Sequence, residues 1–312
     1  MYKLRNWIDI DKINWHALSG NLNAIPLLEL NQDKINWNTL SSNPNGMSLL
    51  EINKDKINWK ELSLNPNAIH ILKRNLDKID WTELSKNPNA LSILEINQDK
   101  IDWHWLSANP NALSLLALNQ DKIDWVLLSL NSNALSLLTQ NMDKIYWFTL
   151  SSNPNALCLL ELNLDKIDWF CLSRNPSAIS ILTHNTNKII WNRLSLNPNA
   201  LPLLAINLDK VDWKELSSNP NALRLLELNI DKINWYYLSA NPNAIHLLEK
   251  YQDKINMNTF SENESIFELD YDFLRNRCNI FKKDLIQKAL HPSKIKKLLD
   301  IGIEIEELEN YI

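Results

Sequence analysis

The hydrophobic and polar positions of this chain repeat every 22 residues. Trp stands at eleven places with that spacing, from Trp15 to Trp235, and Met257 takes the next place. The unit reads N-P-N-A-(L/I)-x-(L/I)-L-x-x-N-x-D-K-I-(D/N)-W-x-x-L-S-x, and eleven copies run from Asn21 to Glu262 without an insertion. A half-unit, DKINWHALSG, precedes them. A fixed period of this length is typical of a solenoid, in which stacked units give every copy the same neighbours.

Each unit contains two short runs with helical character. In the first, Asn and Pro suit a helix start, and A-L-x-L-L-x-L places apolar residues at helical spacing. In the second, Asp or Asn precedes W-x-x-L, and the following N-P ends the helix. Because neither helix would be stable alone at this length, the pattern predicts that both pack against adjacent units. Glu in the third place after the cap predicts capping boxes at Asn58–Glu61, Asp80–Glu83 and Asp212–Glu215.

These patterns predict an all-α fold, an α-solenoid of eleven two-helix repeats. At the usual spacing of packed helices, the units would form a curved rod of roughly 100 Å. The recurrent Asn side chains are expected to bridge backbone groups at helix ends and turns. A leucine-rich-repeat-like α/β solenoid is the alternative, because its units have a similar length. It fits less well, since polar residues such as His16, Asn38 and Lys60 follow Trp where that fold needs a strand, and Pro follows the opening Asn in nine of eleven units.

Three segments follow from the extent of the repeats. Residues 1–20 are expected to form an N-terminal cap and half repeat, in which Trp7 and Ile8 cover one end of the array, and residues 21–262 to form the solenoid. Residues 263–312 are expected to form a helical C-terminal module with helices over 270–290, 294–300 and 304–311. An open solenoid exposes an apolar face at its last unit, so this module either covers that face or docks a second partner, and both roles are compatible.

Composition narrows the class of protein. A net charge of −5 gives no reason to expect nucleic acid as a partner, because proteins that bind phosphates usually carry a basic excess. Three cysteines in 312 residues do not make a disulfide framework and favour a reducing environment. The N-terminal residues lack the apolar segment of a secretory signal, and no stretch is long and apolar enough to cross a membrane. We therefore predict an intracellular protein that is not secreted and has no membrane contact.

The sequence offers no pattern for catalysis. The six His residues lack metal-ligand spacing, Cys158 and Cys171 have no second pair, and three isolated glycines cannot form a phosphate loop. The Lys and Asp of D-K-I recur with little change, which indicates a structural role, either as a solvated ladder or as contacts between units. We predict a protein that is not an enzyme and that has no catalytic residue, cofactor or metal site.

Positions that vary between units are the candidates for partner binding. The two places after Trp are polar in the early units, become apolar from the fifth Trp onward, and turn polar again at Asn192 and Arg193. Aromatic residues grouped on an otherwise polar row are typical of protein-binding hot spots, although such a row would also suit packing against a neighbouring element. The candidate residues are Trp105, Leu127, Phe148, Phe170, Tyr236 and Tyr237, of which the first four are the expected anchors.

A resemblance to a known group rests on four stretches. They are NPNAIHLLE at Asn241–Glu249, DKIDWxxLS throughout, the opening MYKLRNWIDIDKINW and the later KKDLIQKALHPSKIKKLLDIG. With them the chain resembles, over almost its whole length, a group of uncharacterised 22-residue-repeat proteins of giant DNA viruses that infect amoebae and other protists. The resemblance implies a viral origin, action in the infected cell or in the virion, and protein-binding work. It carries over no catalytic residue, cofactor or substrate.

Three roles are compatible with these observations. The first is a non-enzymatic scaffold that binds another protein in the host cytoplasm. The second is a structural component of the virion, such as a minor capsid, cement or spacer protein. The third is an adaptor that recruits host machinery through the C-terminal module. The identity of the protein partner and the oligomeric state stay open at this point.

Overall fold

The computed structural model describes residues 2–289 and 291–300. The chain divides into two compact units, one formed by Leu4–Ile266 and the other by Met1–Lys3 with Phe267–Ile312. Regular helices succeed one another through every repeat, which confirms the predicted all-α solenoid. Within the described residues, strands occur only at Tyr2–Leu4 and Phe267–Leu269, outside the repeats. The leucine-rich-repeat alternative is therefore wrong.

Each complete unit contributes a Leu helix and a Trp helix, and in most units one turn of 3-10 helix lies between them. The Leu helices are Ile25–Glu29, Met47–Ile52, Ile69–Leu72, Leu91–Leu94, Leu113–Leu118, Leu135–Thr139, Leu157–Glu161, Ile179–His184, Leu201–Ala205, Leu223–Glu227 and Ile245–Lys250. The Trp helices are Trp15–Leu18, Trp37–Ser42, Trp59–Leu64, Trp81–Lys86, Trp103–Ser107, Trp125–Leu130, Trp147–Leu150, Trp169–Arg174, Trp191–Ser195, Trp213–Ser217, Trp235–Ser239 and Met257–Phe260. The 3-10 turns between them are Gln32–Lys34, Lys54–Lys56, Leu76–Lys78, Gln98–Lys100, Gln120–Lys122, Met142–Lys144, Thr186–Lys188, Leu208–Lys210, Ile230–Lys232 and Gln252–Lys254.

The Asp or Asn before Trp caps the Trp helix. Its side-chain oxygen accepts a backbone N–H in ten of the twelve Trp helices. The predicted capping boxes form only in part. Asp80 accepts the Glu83 N–H at 3.0 Å, but the Asp80 N–H donates to the Ser63 hydroxyl of the preceding unit at 3.0 Å, not to Glu83. The backbone N–H groups of Asn58 and Asp212 likewise donate to a serine hydroxyl of the preceding unit, not to the Glu side chain of their own helix.

The Leu helix begins later than the sequence predicts. Asn131 accepts the Asn133 N–H at 3.1 Å and closes a turn, and the residue at the helix N-terminus is Ala134, which has no side-chain cap. The amide of Asn131 instead donates to the carbonyl of Asn109 in the preceding unit at 3.0 Å and to that of Ser107, at the end of the unit before it, at 3.2 Å. The expected bridging role of the Asn side chains is thus confirmed, and it joins neighbouring units.

The larger unit closes on itself as a ring. Asn43 donates to the carbonyls of Ser19 and Asn21 at 3.1 and 3.2 Å. Asn21, at the start of the array, makes the same two bonds to Ser261 and Asn263 at its end, at 3.2 and 3.1 Å. Every unit is therefore hydrogen-bonded to a preceding one, including the first.

A twelfth unit, assembled from both ends of the repeats, completes this ring. The 3-10 turn Glu264–Ile266 follows Asn263, and the 3-10 turn Ile10–Lys12 precedes Asn14. The Asn14 N–H donates to the Ser261 hydroxyl at 3.0 Å, and Trp7 stacks on Phe260 with ring centroids 5.7 Å apart.

The expectation of an open rod is therefore wrong, because Trp7 and Ile8 lie in the unit that joins the two ends. Identical interfaces repeat the same rotation, and a rotation of about 30° per unit closes the array after twelve. A closed array leaves no end unit whose apolar face needs a cover, which was the reason to expect caps.

Trp helices form the inner layer of the ring. Consecutive Trp helices contact each other along most of the array, whereas consecutive Leu helices are spaced more widely, and the inner side of a ring has the shorter spacing. Leucines fill the space between the layers, and Leu128 and Leu138 have no exposed surface. The Lys of D-K-I lies over the Trp of the preceding unit, as Lys144 does at 4.7 Å from the Trp125 ring centroid, so it contributes a cation–π contact between units.

The smaller unit contains a two-stranded sheet and two helices. Strand Tyr2–Leu4 pairs with strand Phe267–Leu269, and Lys3 forms an ion pair with Glu268 at 3.7 Å. Helices Tyr271–Ala289 and Pro292–Asp300 confirm the helices predicted over 270–290 and 294–300. The helix predicted over 304–311 lies outside the described residues.

Candidate partner-binding site

The six candidate residues fall into two groups by exposure. Those in the first place after Trp, namely Phe148, Phe170 and Tyr236, are about half exposed. Those in the second place are half-buried, as Trp105 and Leu127 show. A side chain in the first place is therefore available to a partner, whereas one in the second place packs within the ring.

Contacts within the ring hold the half-buried group. The Lys86 ammonium lies 4.2 Å from the Trp105 ring centroid, and the Lys214 ammonium lies 5.3 Å from that of Tyr237. These contacts are of the kind that the packing alternative predicts for Trp105 and Tyr237. Tyr236 is exposed, but two units with polar residues after Trp separate it from Phe170.

Phe148 and Phe170 belong to a larger exposed group that we call the apolar stripe. Its members are Val126, Tyr146, Phe148, Phe170 and Ile190. The residue after Trp lies beside the N-cap of the next unit, as the 3.0 Å bond from Asn58 to Asn38 shows. By the same relation Val126 lies beside Tyr146, and Phe170 beside Ile190. The rings of Tyr146 and Phe148, which lie in one unit, are 6.5 Å apart. Val126, Tyr146 and Phe148 thus form one group across two units, and Phe170 and Ile190 form a second group across the next two.

Two members of the stripe stand where a helix cap is expected. Tyr146 and Ile190 occupy the N-cap place of their Trp helices, and neither makes a side-chain cap hydrogen bond. Losing a cap of this kind costs about 1 kcal/mol. Tyr146 is 49% exposed and Ile190 is 37% exposed, so the lost caps are not exchanged for burial in the core.

Sequence reasoning missed these two residues because it examined the places after Trp. The signal was present in DKIYW and NKIIW, the two repeats in which an apolar residue replaces the Asp or Asn before Trp.

A polar pair borders the stripe on one side. His104 Nδ1 lies 2.7 Å from Asp124 Oδ2. His104 follows Trp and Asp124 is the N-cap of the next unit, so the pair holds the same repeat positions as Val126 and Tyr146 one unit later. Burial opposes ionisation of Asp124, but hydrogen bonds from the Leu127 N–H and the His104 ring offset it, so the pKa of Asp124 is below its ordinary value. The Asp124 carboxyl at this border is therefore ionised at neutral pH.

Cys171 lies next to Phe170 and is buried. Burial, reinforced by the hydrogen bond and charge of Asp168, raises the pKa of the Cys171 thiol to about 11. We predict that iodoacetamide at pH 8 modifies the exposed Cys158 and Cys278 in the folded chain and leaves Cys171 unmodified, because thiolate is the reactive form. Peptide mass mapping before and after denaturation measures this. Rapid modification of Cys171 in the folded chain would contradict the burial and the raised pKa.

A second exposed group, which we call the aliphatic row, follows the Leu helices. Its seven members occupy one place in the repeat, directly before the Asn that precedes D-K-I, and each is 76–83% exposed. They are Leu30, Ile52, Ile96, Leu118, Leu162, Ile206 and Leu228. The pattern A-L-x-L-L-x-L predicted that this residue belongs to the buried apolar face of the helix. That prediction is wrong, because the residue lies at the end of the helix and its side chain is exposed.

Within the part of the chain that the structure describes, no group of three or more His, Cys, Asp or Glu side chains is arranged to hold a metal. None of the helices in that part of the chain has the length and hydrophobicity required to cross a bilayer. Helix Tyr271–Ala289 exposes Ile280, Phe281 and Leu285.

The chain matches no protein-family model, no curated protein and no solved structure. The geometry of its own residues therefore carries the functional argument.

Proposed function

We propose that this protein is a non-enzymatic scaffold whose ring binds a segment of another protein on the apolar stripe. The observation that carries the proposal is the replacement of two helix caps by exposed apolar residues, Tyr146 and Ile190, beside Phe148 and Phe170. Both replacements lower the stability of the ring, and both enlarge the exposed apolar stripe. A binding surface explains why these side chains are placed there.

The chemistry of the stripe indicates the kind of partner. Aromatic and branched side chains grouped on a rigid surface are favourable anchors for apolar side chains of an extended or helical peptide. The ring holds them rigidly, because each stripe residue lies on or at the start of a Trp helix that is joined to its neighbours by hydrogen bonds. The resemblance to viral repeat proteins supports a role in the infected cell, where the partner would be a viral or host protein.

A double substitution tests this surface. Twelve-residue peptides are selected from a random phage-displayed library on the full-length chain, and their affinities are measured for the natural chain and for Phe148→Ala/Phe170→Ala. We expect the selected peptides to bind the double variant at least about tenfold more weakly, since hot-spot truncations cost about 2 kcal/mol or more.

Tyr236→Ala is the matched control, because it removes an aromatic side chain of similar exposure outside the stripe. It should leave peptide affinity unchanged, and all variants should retain the far-ultraviolet circular dichroism of the natural chain. Peptides that bind the double variant as well as the natural chain would rule out the stripe as the binding surface.

A second candidate function is a structural component that assembles with further copies of this chain, as a virion protein would. The aliphatic row favours it, because seven nearly fully exposed aliphatic residues offer on the order of 1,000 Å², and a standard interface buries about 800 Å² per partner. The charges beside the row are self-complementary. Glu29 and Glu51 precede two row residues, and Arg74 and Lys250 stand in its gaps. We propose a second copy of the ring as the occupant.

Sedimentation velocity over concentrations on the order of 1 to 100 µM tests self-association. The natural chain should form dimers at the upper end, and Leu118→Gln/Leu162→Gln/Ile206→Gln should stay monomeric, since each change places an amide in the apolar contact. Phe148→Ala/Phe170→Ala, which changes the Trp-helix layer only, should dimerise like the natural chain. A natural chain that stays monomeric throughout would contradict this second function.

A further inference from the structure

Two arginines line one cavity beside the apolar stripe. The cavity has a volume of about 370 Å³, and Arg174, Arg193, Cys171 and Leu130 are among its lining residues. Arg174 holds the place after L-S in one unit, and Arg193 holds the second place after Trp in the next. Lys86 and Trp105 hold the equivalent positions in two other units, and the Lys86 ammonium lies 4.2 Å from the Trp105 ring centroid. Side chains at these two positions are therefore neighbours.

Among the repeats, Arg174 and Arg193 are the one case in which both of these neighbouring positions hold a basic residue. Like charges at neighbouring positions repel each other, and the repulsion is relieved when an anion lies between them. In the described part of the chain, no carboxylate oxygen lies within 4.0 Å of either guanidinium. The Arg193 Nε is buried and has no hydrogen-bond partner. A buried donor without a partner is costly, and none of the described residues supplies an acceptor to it.

The nearby acidic residue does not supply that acceptor. Asp168 accepts the Cys171 N–H at 2.8 Å as the cap of its own helix. The pKa of Cys171, raised to about 11 mainly by burial, keeps its thiol neutral. None of the described residues therefore supplies the group that would complete the cavity.

We propose that this cavity binds a carboxylate of a partner peptide whose apolar side chains lie on the apolar stripe. The proposal rests on the stripe as the binding surface. The planar guanidinium matches a carboxylate with two parallel hydrogen bonds. Arg193 Cζ lies 4.4 Å from the Phe170 ring centroid, so the cavity and the stripe share a wall. The caps Asp168 and Asp212 precede the Trp helices on either side, and their charges favour a single carboxylate over a polyanion.

Two small probes isolate the carboxylate. N-acetyl-L-phenylalanine carries an aromatic ring and a carboxylate, and N-acetyl-L-phenylalaninamide differs only in the charge. Saturation-transfer NMR titrations with the full chain should give about tenfold tighter binding of the acid, as expected for a charge-assisted hydrogen-bonded pair. Arg174→Gln/Arg193→Gln should bind both probes with the affinity of the amide. Arg193→Lys, which keeps the charge and loses the planar fork, should retain part of the preference.

Lys214→Gln is the control, because it removes one positive charge from the same layer outside the cavity. It should keep the full preference for the acid. Equal affinity for the two probes, or no binding of either, would overturn the carboxylate site. Displacement of the acid by inorganic phosphate at concentrations where acetate has no effect would overturn it in favour of a phosphate site. The stripe is judged separately, since peptides selected on it can depend on Phe148 and Phe170 whether or not they carry an acid.

Discussion

An Asn21→Ala variant should lose about 2–4 kcal/mol of unfolding free energy, because three hydrogen bonds disappear and the Ser261 carbonyl is left without a donor. The Asn21 side chain is 2% exposed. It donates to the carbonyls of Ser261 and Asn263 and accepts the Asn23 N–H at 3.0 Å. Urea denaturation followed by Trp fluorescence measures the loss.

Asn131→Ala is the matched variant inside the array, with the same three bonds. In a closed ring the two substitutions break equivalent interfaces, so their losses should agree within about 1 kcal/mol. In an open solenoid Asn21 would stand at a free end, and its replacement would cost little. A large loss at Asn131 with almost none at Asn21 would therefore refute ring closure. Asn23→Ala removes one exposed bond of 3.3 Å to Glu264 and should change stability by less than about 1 kcal/mol.

The elements of the unit could be predicted from sequence because local chemistry determines them. Trp helices begin directly after the Asp or Asn that caps most of them, and the bridging role of Asn follows from a polar side chain that recurs in every copy. The side chains that accept particular N–H groups were harder to predict. Ser63 takes the Asp80 N–H that a capping box would give to Glu83, because a neighbouring unit brings a hydroxyl within 3.0 Å.

Ring closure could not be derived from the pattern of one unit. The rotation between units depends on how side chains pack at the interface, and a small change in that angle separates a rod from a ring. One signal was present, since the half-unit DKINWHALSG and the segment that begins at Asn263 together supply the parts of one more unit. Interpreted from sequence alone, the two segments were assigned to opposite ends of an open array.

The exposure of the candidate residues was predicted in part. Phe148 and Phe170 lie on the exposed stripe, whereas Trp105 is covered by Lys86. Burial at the two places after Trp differs because they lie on different sides of a short helix, and polarity alone does not distinguish them. The aliphatic row was assigned to the core for the same reason. Leu118 continues the apolar pattern of its helix in sequence, but it ends that helix and is exposed.

Leu128→Ala should lower the free energy of unfolding by about 2–5 kcal/mol, the range for a leucine truncated in a close-packed core. Leu128 lies on a Trp helix between the two layers and has no exposed surface. Leu118→Ala is the matched control, with the same chemical change at a side chain that is 83% exposed. At micromolar concentration it should stay within about 0.5 kcal/mol of the natural chain. Urea denaturation of the three chains measures both differences.

The concentration dependence of the control separates folding from assembly. If the aliphatic row joins two rings, Leu118→Ala costs stability only where the natural chain is dimeric, because association stabilises the folded state by mass action. Leu128→Ala should cost the same at every concentration, since it acts within one ring. A loss at Leu118 that is as large as that at Leu128 in dilute solution would mean that the row is buried in the monomer. That result would contradict both the exposed position of Leu118 and the proposed contact between rings.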